Sequence, residues 1–81
     1  MELLWITESV YLEDYKMKVR FNNGAWRIFD FSTLFGTHKC YDRIVGLDVF
    51  KNFTVDGWTI SWLNNEVDVA PEYIYEHSVA A

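Results

Sequence analysis

The chain reads as an α+β fold, a small antiparallel sheet built from two hairpins with short helices that include one at the C-terminus. Three observations point there. Apolar and polar residues alternate through YKMKVRF (15–21) and again through FTVDGWTISW (53–62). Reversal signals, Asn23-Gly24 and Asp56-Gly57, interrupt these apolar stretches. Pro71 opens a short amphipathic stretch, PEYIYEHS, with its fixed φ suited to a first helical position. With 81 residues, residues 1–81 are expected to form a single domain around one small core.

Residues Leu3 to Ile6 are expected to start a first strand, with Thr7 to Asp14 interrupting it and a turn near Asp14. YKMKVRF and AWRIFDF then flank Asn22-Asn23-Gly24. A two-residue turn at Asn23-Gly24 would set Phe21 opposite Trp26, Val19 opposite Ile28 and Met17 opposite Asp30. Phe29 and Phe31 would then lie on the other face with Lys16 and Lys18, and would need a second covering element or a partner. FSTLFG offers a cap and one helical turn, and Thr37 to Asn52 suggests further turns, with Leu47 and Phe50 laid on the sheet. In the second hairpin Val55 would pair with Trp58 and Phe53 with Ile60, while Trp62 continues that face. Asn64-Asn65 allows another reversal before an edge strand at Val67 to Val69, and the C-terminal helix follows.

Seven Lys or Arg against twelve Asp or Glu give a formal charge of −5. The imbalance lies wholly in the second half, where no base follows Lys51. Such an acidic half disfavours direct nucleic-acid binding and favours a basic protein surface. The bases from Lys16 to Arg27 fit the wet side of a half-buried strand better than a nucleic-acid platform. No run approaches the roughly 20 apolar residues that span a bilayer, and the acidic start MELLWITESV lacks a signal peptide's basic region, so a cytoplasmic protein with no membrane partner is expected.

The chemistry-bearing residues form no complete set. Asp30, expected on the apolar face, reads first as a strand-end cap for nearby amides, then as a recognition or catalytic carboxylate. Asp68, Glu72 and Glu76 read as a solvated acidic face; calcium would need about six to eight oxygen ligands. His38, Cys40 and His77 are one ligand short of a closed zinc site, and Cys40 has no evident base. No phosphate-binding glycine loop occurs, so no cofactor is expected. Among the fifteen aromatic residues, Trp26, Trp58 and Trp62 are expected in the core, and Trp5, Phe29 and Phe31 remain for a partner or a homo-dimer.

YKMKVRFNNGAWRIFDF and FKNFTVDGWTISWLNNEVDVAPEYIYEHS together resemble the small bacterial family catalogued as domain of unknown function 2442. The resemblance rests on Phe21 to Gly24, Asp30, Trp62, Asn64, Asp68, Pro71 and Glu72; Asn64-Asn65 stands where the family often has Asn-Gly. It implies an α+β domain and no enzyme reaction. Some relatives carry a following helix-turn-helix, for which a chain ending at Ala81 is expected to leave no room. Others are encoded beside a second small protein, which implies an antitoxin-like or other partner role. The leading expectation is a non-enzymatic interaction module that uses Trp5, Phe29 and Phe31 with Glu66, Asp68, Glu72 and Glu76. The alternatives are a small acid/base enzyme using Asp30 or Asp68 with His38 or His77, and a structural homo-oligomer.

Overall fold

Strands β1 (Ile6–Glu13), β2 (Lys16–Phe21) and β3 (Trp26–Asp30) form an antiparallel meander in the computed structural model, which describes residues 3–81. Two 3₁₀ turns, Phe31–Leu34 and Lys39–Ile44, and helix α1 (Leu47–Lys51) follow. Strands β4 (Thr54–Val55), β5 (Ile60–Trp62) and β6 (Val67–Asp68), helix α2 (Pro71–His77) and strand β7 (Val79–Ala80) complete the chain. The two hairpins lie in separate sheets, β1-β2-β3-β7 and β4-β5-β6, which share one core.

The first hairpin differs from its expected register by one residue. Arg20 faces Trp26, Val19 faces Arg27, Lys18 faces Ile28 and Met17 faces Phe29. The cause is a three-residue loop at Asn22–Gly24. Phe21 N–H donates to Ala25 O at 2.9 Å, Gly24 N–H returns to Phe21 O at 2.9 Å, and Gly24 alone in the loop takes a left-handed φ of 86°. Because side chains alternate with period two, a one-residue shift exchanges the strand's faces. Phe29 and Phe31 therefore join Met17, Val19 and Phe21 in the core, whereas Trp26 and Ile28 stand half-buried on the outer face. Asp30 faces Lys16, not Met17, and its carboxylate accepts from Ser32 N–H at 3.0 Å and Ser32 Oγ at 2.6 Å, capping the turn that follows.

Thr7–Glu13 belongs to β1 and does not interrupt it. The segment concealed its strand because Val10 and Leu12 point outward and irregularities fall at Ile6/Glu8 and Tyr11/Glu13, so its hydrophobic alternation does not match its inward face. In the second hairpin Val55 faces Ile60 and Thr54 faces Ser61. The shift from the expected pairing is two residues, so the faces hold, but Trp58 is carried into the turn and exposed. Asp56 Oδ1 fixes this turn by accepting from Trp58 N–H and Thr59 N–H, both at 3.0 Å. Asp56→Ala removes both bonds and is expected to cost about 1–2 kcal/mol, lowering Tm by about 5–10 °C in thermal circular dichroism. Asp56→Asn keeps the acceptor and is expected to lose much less.

The core centres on Phe50, whose ring meets Tyr11, Tyr15, Phe31 and Trp62 at centroid distances of 5.1–6.2 Å. Trp62 stacks on it and donates from Nε1 to Phe50 O at 2.8 Å, so this buried indole has no unsatisfied donor. Leu47 is exposed, and Ile44 of the preceding turn fills the core in its place. Helix α2 starts at the expected Pro71 and buries Pro71 and Ile74. It returns the chain to β7, which pairs with β3 through Arg27/Ala80 and Ile28/Val79.

Candidate functional site

The core occupies one face of the four-stranded sheet. The register arranges the other, outer face in rows across the strands. Val10, Lys18, Ile28 and Val79 form the middle row. Glu8, Arg20 and Trp26 form a row on one side of it, and Glu13, Lys16 and Asp30 a row on the other. Val10, Leu12 and Val79 are 47%, 42% and 63% exposed, and Leu12, Ile28, Asp30, His77 and Val79 line one shallow hollow there. The charges of this face are largely balanced within it. Arg20 pairs with Glu8 at 3.4 Å, Lys16 sits between Glu13 and Asp30, and Lys18 Nζ lies 4.7 Å from the Trp26 ring centre. Aliphatic residues are thus presented among charges of both signs, a surface suited to contact more than to proton transfer.

The expected partner residues are scattered. Trp5 is partly exposed near the Asn22 loop, donating its N–H to Asn22 Oδ1 at 2.9 Å. Phe29 and Phe31 are 1% and 0% exposed and meet edge to face at 4.7 Å, so they offer no binding surface. Glu66 is ion-paired with Arg43 at 3.0 Å, while Asp68, Glu72 and Glu76 are exposed. The motif residues perform structural work: Gly24 closes a turn, Trp62 anchors the core, Asn64 takes a left-handed φ of 56°, and Pro71 opens α2.

The acid/base pairs do not hydrogen-bond to one another. Asp30 and His77 border the same hollow, but Asp30 Oδ1 is engaged by Ser32, and His77 Nδ1 lies 2.9 Å from Tyr73 O. His38 and Cys40 are exposed, and among the described residues no group of three or more His, Cys, Asp or Glu side chains gathers as a metal site.

A second depression was not foreseen. It holds about 230 Å3 between the Lys39–Ile44 turn and the start of α2, with Tyr41 and Tyr73 on its walls. Burial first, then Cys40, Asp68 and Tyr73, pushes the Tyr41 hydroxyl above its ordinary 10.0. The neutral phenol is favoured by folding, so its stabilising effect is present below pH about 10 and is lost as pH rises through the raised value. The signal available in the sequence was the pair of tyrosines beside Asp42, Asp68 and Glu72, but no spacing rule joins residues 41 and 73.

Residues 6–80 match the model of a family described as protein of unknown function (DUF2442). No curated protein and no solved structure matches the chain.

Proposed function

The chain belongs to the DUF2442 family, whose model spans nearly all of it, and on that premise we propose that it is a non-enzymatic protein-interaction module. The observation that carries this reading is the open outer face of the β1-β2-β3-β7 sheet, with Val10, Leu12 and Val79 exposed beside half-buried Trp26 and Ile28. Burying such aliphatic area contributes about 25 cal/mol per Å2, and the balanced charges around it favour a defined register over loose adhesion. The net charge of −5, with Asp68, Glu72 and Glu76 exposed, favours a basic partner in the approach. The antitoxin-like role is the narrower form of this proposal, in which the module covers and neutralises one small companion protein. A cytoplasmic setting suits its single, exposed, free Cys40. No helix among the described residues is long and apolar enough to cross a membrane.

The test is affinity capture from native cells with the unaltered chain and with Val10→Glu/Val79→Glu, both checked for folding by near-ultraviolet circular dichroism. The unaltered chain is expected to retain a companion that the folded double variant loses at least tenfold. Equal recovery by the folded variant would remove the sheet face from the proposal.

Self-association is a second reading, favoured by the position of β1. This eight-residue strand lies at the sheet's edge, a natural site for pairing with a second copy. Light scattering across concentration tests it, and a persistent monomer would remove it.

A further inference from the structure

We propose that the depression between Tyr41 and Tyr73 is a binding site for a cationic side chain, an arginine guanidinium above all, supplied by a basic partner. It rests on the interaction reading above and adds an anchoring point to it. Leu34 and Val69 supply apolar lining, Tyr41, Tyr73 and His38 supply rings, and about 230 Å3 accommodates one long side chain. Tyr73 is braced: its ring stacks on His77 at 4.0 Å and meets the buried Phe29 edge on at 6.1 Å. A wall already held in place loses little freedom on binding.

Three observations favour a cation over a neutral or anionic ligand. Aromatic faces carry negative electrostatic potential and attract ammonium or guanidinium groups within about 6 Å. Asp68 precedes Val69 of the lining and lies close enough for its charge to be felt at the Tyr41 hydroxyl. The nearby Arg43 is engaged by Glu66 at 3.0 Å, and Asp42 and Glu72 add exposed negative charge beside the two tyrosines. Of the chain's own cations, Lys39 is exposed in the same turn as Tyr41 and adds one positive charge against the carboxylates Asp42, Asp68 and Glu72. Among the described residues Lys18 and Arg20 lie over Trp26, Arg27 over Tyr75 and Lys51 over Tyr11, and none lies over Tyr41 or Tyr73. The Tyr73–His77 stack also joins this depression to the hollow on the outer sheet face, which His77 borders. One partner can therefore cover the aliphatic face and extend an arginine around the end of α2.

The probes are N-acetyl-arginine amide and its neutral isostere, N-acetyl-citrulline amide, titrated into the isotope-labelled full chain and followed by amide NMR. Arginine is expected to shift the Tyr41, Val69 and Tyr73 signals and to bind at least about fivefold more tightly than citrulline. Tyr41→Leu and Asp68→Asn should each weaken arginine binding by about fivefold, whereas Tyr41→Phe, which keeps the ring, should retain most of it. Equal binding of the two probes, no localised shift, or shifts that persist in folded Tyr41→Leu would each overturn the site. These outcomes are separable from failure of the sheet-face reading, which is scored by capture with Val10→Glu/Val79→Glu and leaves the depression intact.

Discussion

Phe50→Ala is expected to cost about 3–5 kcal/mol, against a total stability on the order of 5–10 kcal/mol for a domain of this length. Phe50 is completely buried, and its ring is shared by residues from four parts of the chain: Tyr11 of β1, Tyr15 of the first turn, Phe31 after β3, and Trp62 of β5. Removing it opens a cavity bordered by four other rings, none of which can collapse into the space without surrendering another contact. The Trp62 Nε1 bond to Phe50 O depends on the backbone of α1, so loosening that short helix also threatens the indole's partner. Chemical denaturation should show a midpoint displaced far towards zero denaturant, with a Tm lower by on the order of 20 °C. A loss below about 1 kcal/mol would mean that Phe50 is not the centre of the core.

Arg27→Met should have the second largest effect, and a more local one. Arg27 donates from Nε to Ser78 Oγ at 2.6 Å and from Nη2 to Ser78 O at 2.7 Å, while its guanidinium covers the Tyr75 ring at 4.8 Å. Methionine preserves much of the stem's packing but leaves the Ser78 carbonyl without its donor. The expected cost is about 2–3 kcal/mol, concentrated on β7. Hydrogen exchange at Ala81, whose N–H donates to Trp26 O at 3.0 Å, should accelerate markedly more than exchange in β2. Arg27→Lys should restore little, because an ammonium lacks the fork that reaches both Ser78 acceptors. Unchanged protection of Ala81 in Arg27→Met would count against this clamp.

Turns and element types were largely legible in the sequence, because they follow from local chemistry. Asn23-Gly24, Asp56-Gly57 and Pro71 marked two reversals and a helix start, and alternation at Val67 and Val69 marked the short edge strand. Register was not legible, because Gly24 serves a two-residue and a three-residue loop equally well. The choice is reinforced from outside the hairpin: Asn22 accepts from Trp5 N–H and donates to Leu3 O, which occupies its side chain with the incoming chain. That single choice moved Phe29 and Phe31 inward and Trp26 outward, and with them the candidate interaction surface. Strand β7 was also hidden, since Val79 and Ala80 have too little pattern of their own and are held by pairing with β3. Tyr41 and Tyr73 meet only through tertiary packing, which no periodicity reports.

The topology has a kinetic consequence. Strands β1-β2-β3 and strands β4-β5-β6 are each a run of sequence neighbours, and only β7 pairs across a long stretch of chain, so most strand pairing requires only short loops to close. Joining the two meanders depends on distant links such as Ile6 N–H to Trp58 O at 2.9 Å, while the Arg27 clamp, across 51 residues, fastens the returning chain and β7 to β3. Closing either meander therefore costs little chain entropy, and the longer loops are closed only where the two meet around Phe50.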